Sequence, residues 1–202
     1  MSSLKLKHSG GNGVIIAAPS SNPAADRTLT LPGDADGTIL TSNSATGKIL
    51  QVLSTPKTDT FSRTDGDTWG DITGLSQAIT AASANNKILV IADVKIGHSG
   101  NPDLHIKIIR DSTDIYIGAA ASNRQQTSFG TQTIGHNFTS QRMEQVHLTF
   151  LDTAPDTSSH TYKVQIRNNK GGTVYINRTH NDTDNDEYPR TASSITVMEV
   201  AA

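Results

Sequence analysis

The sequence has no cysteine, few aromatic residues and a formal charge of only −2 over 202 residues. Without cysteine, disulfides and cysteine-based zinc sites are excluded. The near-neutral balance argues against a general nucleic-acid binder, which would carry a basic stripe. No apolar run reaches the length of about 18 residues that a membrane span needs, and residues 1–7 lack the apolar core of a signal peptide. We therefore expect no nucleic-acid partner and no membrane insertion.

Hydrophobic residues make up 34% of the chain, which is little for a self-contained globular protein. Disorder usually combines low hydrophobicity with high net charge and few β-branched residues, whereas here isoleucine and valine fall in strand-length clusters. The pattern predicts an all-β protein with many turns. A thin core also favours oligomerisation, because partner subunits can supply the missing apolar contacts.

Residues 1–46 are predicted to form a separate segment of short strands. Leu4-Lys5-Leu6-Lys7 alternates apolar and charged residues, and a glycine-rich turn separates it from an apolar strand at residues 14–18. Two more short strands are expected at residues 27–31 and 37–41, before a polar hinge at residues 42–47. Such strands bury little apolar area and are marginal in isolation.

Residues 47–202 are predicted to form an antiparallel jelly-roll or β-sandwich domain of eight to ten strands. Its strongest strand is residues 87–96, which is apolar on both faces at its start and so lies between layers or at a subunit contact. We select four of its residues as trimer-interface candidates: Leu89, Ile91, Val94 and Ile96. Residues 75–82 are ambiguous between helix and strand, residues 56–67 are expected to be a turn-rich stretch, and residues 132–138 a weaker strand.

Several stretches, taken in order, resemble marine tailed-phage (cyanophage-type) fibre proteins. They are Leu4-Lys5-Leu6-Lys7 and residues 27–32, 37–41, 47–52, 86–90, 160–167, 172–178 and 193–200. The resemblance implies a homotrimeric, tumour-necrosis-factor-like jelly-roll head on a short N-terminal attachment segment. It implies a non-enzymatic virion structural protein of a bacteriophage, made in the bacterial cytoplasm, which serves as a tail fibre or appendage.

The partners implied by this resemblance are other copies of the chain, other virion proteins that contact residues 1–46, and a glycan or protein of the host cell surface. Two alternatives stay open. One is a capsid decoration or vertex-fibre protein without a receptor role. The other, from a different class, is a carbohydrate-binding module or a glycan-active enzyme.

An acidic stretch near the C-terminus provides weak candidates for a metal site. Asp182, Asp184 and Asp186 have the D-x-D-x-D spacing with which a calcium loop opens. Glu187 stands where such a loop needs glycine, and Ser193 stands where it needs glutamate. A solvated loop therefore outweighs a divalent-cation site, and we expect no other cofactor.

Aromatic residues are the candidates for receptor contact. Tyr188, beside a proline in the acidic stretch, is the tyrosine expected to be most exposed, and we select it together with Asn185. Trp69 and the other tyrosines could also stack on sugars, although aromatic residues of β-sandwiches more often pack in the core or at its rim.

We find no catalytic motif and propose no catalytic residue. A nucleophile elbow and a phosphate-binding loop are both missing from the sequence. Gly97-His98-Ser99-Gly100 places histidine beside serine but is typical of a polar turn after a strand. His105 and His147 each lie on the polar face of a predicted strand, where a cross-strand pair could bind a metal or line a threefold axis.

Overall fold

The computed structural model describes residues 3–7, 9–11, 13–17, 48–64, 66–100, 103–132, 142–153, 156–169 and 172–202. These residues form 13 β-strands and no helix, which confirms the predicted all-β class. None of the described residues belongs to a helix that is long and apolar enough to span a membrane. The chain divides into two compact units, Met1–Ser44 and Ala45–Ala202.

The first unit contains an antiparallel hairpin of β1 (Ser3–Lys7) and β2 (Gly13–Ala17). Gly11, with φ of +97°, lies in the connecting turn, where a left-handed backbone favours glycine. Leu6 and Ile16 are 56% and 53% exposed. The predicted strands at residues 27–31 and 37–41 and the hinge at 42–47 lie outside the described residues.

The second unit is a sandwich of two antiparallel sheets. The six-stranded sheet has the order β3-β13-β6-β12-β4, and β10 pairs with the other edge of β6; its strands are β3 (Ile49–Lys57), β4 (Phe61–Arg63), β6 (Lys87–His98), β10 (Met143–Thr153), β12 (Val174–Ile176) and β13 (Ser193–Val200). The five-stranded sheet has the order β5-β11-β7-β8, and β9 also pairs with β7; its strands are β5 (Gly70–Thr80), β7 (Asp103–Arg110), β8 (Thr113–Ile115), β9 (Phe129–Gln132) and β11 (Ser159–Asn169).

The core lies between these two sheets and is filled by alternate residues of the long strands. The inner face of β6 contributes Ile88, Val90, Ala92, Val94 and Ile96, each with at most 2% of its surface exposed. Leu104, Ile106 and Ile108 of β7, Val164 and Ile166 of β11, and Ile195 and Val197 of β13 complete its centre. Period-two alternation thus gives each sheet one apolar face toward the core.

The ambiguous residues 75–82 are resolved as part of strand β5. Leu75 and Ile79 are buried on its inner face, and Gln77 between them is half-buried. Gln77 Oε1 accepts a 2.6 Å hydrogen bond from Thr55 Oγ1. This inward-facing glutamine interrupts the apolar alternation of a strand and leaves a spacing of four, which resembles that of a helix.

One loop prediction is wrong in detail. Within residues 56–67, expected to be turn-rich throughout, β3 continues to Lys57 and β4 occupies Phe61–Arg63. The weaker strand expected at 132–138 stays a prediction, because β9 covers Phe129–Gln132 and residues 133–138 lie outside the described part of the chain.

Candidate binding surfaces

An apolar row crosses four strands on the outer face of the six-stranded sheet. In strand register, Leu151 lies opposite Leu89, Leu89 opposite Met198, and Met198 opposite Val52. Leu151 and Val52 are 46% and 54% exposed, and the two central side chains are half-buried. Directly paired side chains on one face lie close enough to form a continuous surface. We call these four residues the apolar row.

The surroundings of the apolar row differ on its two sides. Ile91, two residues after Leu89 and on the same face of β6, lies between Thr149 and Thr196. Beyond it, Lys95 Nζ lies 2.6 Å from Asp93 Oδ2, so this pair of charges neutralises itself within one strand. On the other side of Leu89, Lys87 is exposed on the same face, so the apolar row has uncharged neighbours on one side and a lysine on the other.

The four predicted interface residues of β6 divide between its two faces. Leu89 and Ile91 are half-buried on the outer face. Val94 and Ile96 have 0% exposure in a single chain because they fill the core between the sheets, so these two are not available to a second subunit. The two-sided strand lies between layers at Val94 and Ile96, and contact of Leu89 and Ile91 with a partner stays a prediction.

The outer face of the five-stranded sheet is polar and carries the one tryptophan of the sequence. Trp69, half-buried, precedes β5, and Lys107 Nζ of β7 lies 4.5 Å from the centroid of its ring. The Lys107 side chain is buried and its Nζ donates a 2.6 Å hydrogen bond to Asp114 Oδ1. Trp69 thus covers a lysine that is already paired with an acid.

Asp71, two residues after Trp69, forms a small hydrogen-bonded group with β11. Its Oδ1 accepts a 2.7 Å bond from Gln165 Nε2, and its Oδ2 accepts a 3.1 Å bond from Lys163 Nζ. The bond from Gln165, followed by that from Lys163, keeps the pKa of Asp71 below its usual value although burial opposes the shift. Asp71 therefore presents a carboxylate near neutral pH.

A surface depression of about 260 Å³ begins at Asp71 and Lys163. It forms because β5 bulges: Ser76 pairs with Lys163 and Asp71 with Gln165, so four residues of β5 oppose one of β11. Gly74, with φ of +88°, lies within this bulge. The bulge leaves a recess on a surface that a regular strand would keep flat.

The acidic stretch does not bring its three aspartates together as cation ligands. Asp182 Oδ1 lies 2.5 Å from Arg190 and its Oδ2 3.8 Å from Arg178, so arginines take up its charge. Asp184 and Asp186 are exposed. Among the described residues, no group of three histidine or acidic side chains is arranged to hold a metal ion.

The receptor-contact candidates lie in the same loop. Asn185 is exposed, and its Oδ1 accepts a 3.1 Å bond from the Glu187 amide. Tyr188 is half-buried, whereas Tyr116 is 44% exposed. The Tyr116 ring stacks on Phe150 at a centroid distance of 4.9 Å. The expectation that Tyr188 is the most exposed tyrosine is therefore wrong, and receptor contact by this loop stays a prediction.

The histidines and the serine that were considered for catalysis or metal binding have separate surroundings. His98 is buried, which lowers its pKa, and Ser99 Oγ accepts a 2.8 Å bond from the Thr173 amide, joining two strand ends. His105 belongs to the five-stranded sheet and His147 to the six-stranded sheet, so they do not form a cross-strand pair.

Fold and surfaces together define the second unit as an antiparallel β-sandwich that has an apolar row on one outer face and polar groups on the other. No protein-family model and no curated protein matches the chain. Among solved structures, it is similar to one of the infectious bursal disease virus Gx strain, with a TM-score of 0.38, 14% identity and coverage of 83% of this chain and 45% of the other.

A second similar structure is a VP2 subviral particle of infectious bursal disease virus, with a TM-score of 0.36, 14% identity and coverage of 74% of this chain and 41% of the other. This chain thus spans less than half the length of both.

Proposed function

We propose that this chain is a non-enzymatic structural protein of a tailed-phage virion, a homotrimeric fibre or appendage subunit that contacts the host surface. The observation that carries the self-association is the apolar row. The assignment to a phage particle and the number three rest on the sequence resemblance described above.

The apolar row is a surface that association would stabilise. Burial of apolar surface contributes about 25 cal/mol per Å², and contiguous apolar patches on a soluble protein commonly mark interaction sites. Leu151 and Val52 at the ends of the row keep about half of their surface exposed in the single chain. A second copy of the chain is the partner that accounts best for this strip and for the low apolar content of the sequence.

The N-terminal unit supports an attachment role. Its described part is a two-stranded hairpin, a structure that is at best marginally stable alone. Leu6 and Ile16 are both more than half exposed on this hairpin. A hairpin with exposed apolar side chains is suited to packing on another protein, and we assign that partner to the virion.

Sedimentation analysis of the purified chain tests the self-association. We expect a trimer at micromolar concentration, and we expect Leu89→Asp and Leu151→Asp to dissociate it, because each would bury an unpaired carboxylate in the interface. Ala78→Asp is the matched control: Ala78 is exposed on β5 in the other sheet, and its variant should stay trimeric. Circular dichroism checks that all variants keep their β-structure. A folded wild-type monomer would contradict the proposal.

Electron microscopy of intact virions with a labelled antibody against this chain tests its place. Label on the tail supports the fibre or appendage role. Label confined to the capsid or its vertices would replace that role with the decoration alternative, and unlabelled particles would contradict any virion function. This experiment is independent of the sedimentation result.

A further inference from the structure

We infer that the outer face of the five-stranded sheet, from Trp69 to the depression beside Asp71, is a binding site for a neutral oligosaccharide. The inference deepens the proposed host-contact role and rests on it for the biological source of the glycan. Binding itself is a property of this face and can be measured on the isolated protein, whatever its oligomeric state.

Trp69 provides an aromatic platform at one end of the site. The Lys107 ammonium lies against the ring at 4.5 Å from its centroid, so a sugar would stack on the opposite side of the indole. The face of an indole ring carries negative charge density, which attracts the weakly positive C–H groups of a sugar ring. Packing on the Lys107 side chain accounts for one face of the Trp69 ring. It does not account for the hydrogen-bonding groups of Asp71, Gln165 and Lys163.

Asp71, Gln165 and Lys163 provide hydrogen-bonding groups next to this platform. Each oxygen of Asp71 accepts one bond from its protein neighbours, and a carboxylate oxygen can accept two. Lys163 Nζ carries three hydrogens, and one of them is directed to Asp71. The Asp71 side chain is 46% exposed and that of Lys163 31%. Neighbouring sugar hydroxyls need such an acceptor and donor side by side.

The depression provides a place for a second sugar ring. It is lined by Asp71, Lys163 and Ser76 along with other residues of the β5 bulge, and its volume of about 260 Å³ lies just below the range of about 300–1,000 Å³ of small-molecule pockets. Trp69 and Asp71 are two residues apart, which is roughly 7 Å along an extended chain. A ring stacked on Trp69 therefore has its neighbour at the entrance of the depression.

The charges around the site indicate a neutral rather than an acidic glycan. Three cations on this outer face are paired with carboxylates: Lys163 with Asp71, Lys107 with Asp114 and Arg167 with Asp67. Because each of these three cations has a carboxylate partner, they contribute no surplus of positive charge to attract a polyanion.

Fluorescence titration is direct here because Trp69 is the sole tryptophan of the chain. The probes are cellohexaose, maltohexaose and neutral O-antigen polysaccharide fragments, with polygalacturonate as the acidic counterpart. We expect at least one neutral probe to shift the Trp69 emission in a saturable way. No response to any neutral probe, or a response to polygalacturonate alone, would overturn the inference.

Variants then locate the site by calorimetry with the neutral probe that binds. We expect Trp69→Ala and Asp71→Ala each to weaken binding at least about tenfold. Ser76→Leu, which fills the depression and leaves Trp69 in place, should do the same. Tyr116→Ala removes another exposed aromatic residue and should bind as wild type. Unchanged affinity in the first three folded variants would overturn the site, whereas loss of the trimer with binding retained would overturn only the proposed function.

Discussion

His160 Nδ1 and Asp111 Oδ2 lie 2.6 Å apart and join the start of β11 to the turn that follows β7. The other ring nitrogen, Nε2, lies 2.9 Å from Asp156 Oδ1. Asp111 Oδ1 also accepts a 2.9 Å bond from the Thr161 amide. The hydrogen bond with Asp111, followed by that with Asp156, raises the pKa of His160 above its usual 6.5. A protonated histidine between two carboxylates thus holds two turns together.

This arrangement predicts a stability difference that depends on pH. Because the folded pKa of His160 is above the unfolded value, its contribution is fully present below about pH 6.5 and is lost as the pH rises through the folded pKa. We expect His160→Gln to be less stable than wild type at about pH 6, and the difference to shrink toward about pH 9. Urea unfolding at a series of pH values measures it.

Buried His98 and half-buried His105 have lowered pKa values and act in the opposite direction, but they are present in both proteins and cancel in the difference. His147→Gln, on the other sheet, is the control and should run parallel to wild type. If the wild-type and His160→Gln curves were themselves parallel across the range, the ion-pair interpretation would be wrong.

A second prediction concerns the buried hydroxyl of Tyr162. Tyr162 is 0% exposed, and its Oη donates a 2.8 Å bond to Asp152 Oδ2, which also pairs with Arg110. Burial, followed by the bond to Asp152, raises the pKa of Tyr162, so the hydroxyl stays a donor at neutral pH. We expect Tyr162→Phe to lower the free energy of unfolding by about 1–2 kcal/mol, because a buried carboxylate loses one of its donors.

Chemical denaturation of the variant and of Tyr175→Phe measures this effect. Tyr175 is half-buried, and its ring contacts Arg178 at 3.9 Å, a contact that phenylalanine retains in part. The Tyr175 variant should therefore change little. If the two variants lost the same free energy of unfolding, the hydrogen bond from Tyr162 to Asp152 would not be what stabilises the wild type.

The strands could be predicted where one face is buried and alternation is regular. Residues 87–96 show this pattern, and β6 has the expected inner face. Alternation alone does not show which of two apolar faces meets the other sheet. The sequence therefore predicts an interface role for Val94 and Ile96, which their burial in the core excludes. In β5, the polar residue Gln77 on the inner face interrupts the apolar alternation that would have predicted the strand. Its hydrogen-bond partner, Thr55, is distant in sequence, so the sequence near Gln77 does not indicate that the side chain faces inward.

The oligosaccharide site proposed at Trp69 and Asp71 could not be predicted from the sequence, because its residues are brought together only by sheet pairing. Lys107 contacts Trp69, and Gln165 contacts Asp71, although the members of each pair are far apart in sequence. Pairing of β5, β11 and β7 brings them together. The depression depends on a bulge whose position requires the register of β5 against β11. The single tryptophan was the one available signal, and it gives no information about neighbours.

A third prediction concerns the buried carboxylate of Glu199, which is 1% exposed. Its Oε1 accepts bonds of 2.7 Å from the Ala82 amide and 2.5 Å from Asn86, and its Oε2 accepts one of 2.7 Å from Gln51. Burial alone would raise the pKa of Glu199, but the bonds from Asn86 and Gln51 lower it. Its contribution to stability is therefore present above about pH 4.5 and is lost as the pH falls through the folded pKa.

We expect Glu199→Gln to lower the free energy of unfolding by about 2–3 kcal/mol at neutral pH, because one oxygen becomes an amide group that faces a donor. The deficit should narrow in acid, where wild type loses the same charge. Thermal or urea unfolding shows this, with Glu187→Gln in the exposed loop as the control. A deficit of the same size at acidic and neutral pH would contradict the role of the charge.

A fourth prediction concerns Gly97, where the chain segment at Arg178 and Thr179 crosses β6. A Cβ at Gly97 would collide with the Arg178 carbonyl oxygen and lie 3.1 Å from Thr179 Cα. Both obstacles are backbone, so they cannot move aside as a flexible side chain can. We expect Gly97→Ala to destabilise the sandwich by about 1–3 kcal/mol through this overpacking. Gly66→Ala, which would meet its nearest atom at 3.9 Å, is the matched control and should change stability little. Wild-type stability of Gly97→Ala in urea unfolding would mean that the segment does not pass this close to β6 in solution.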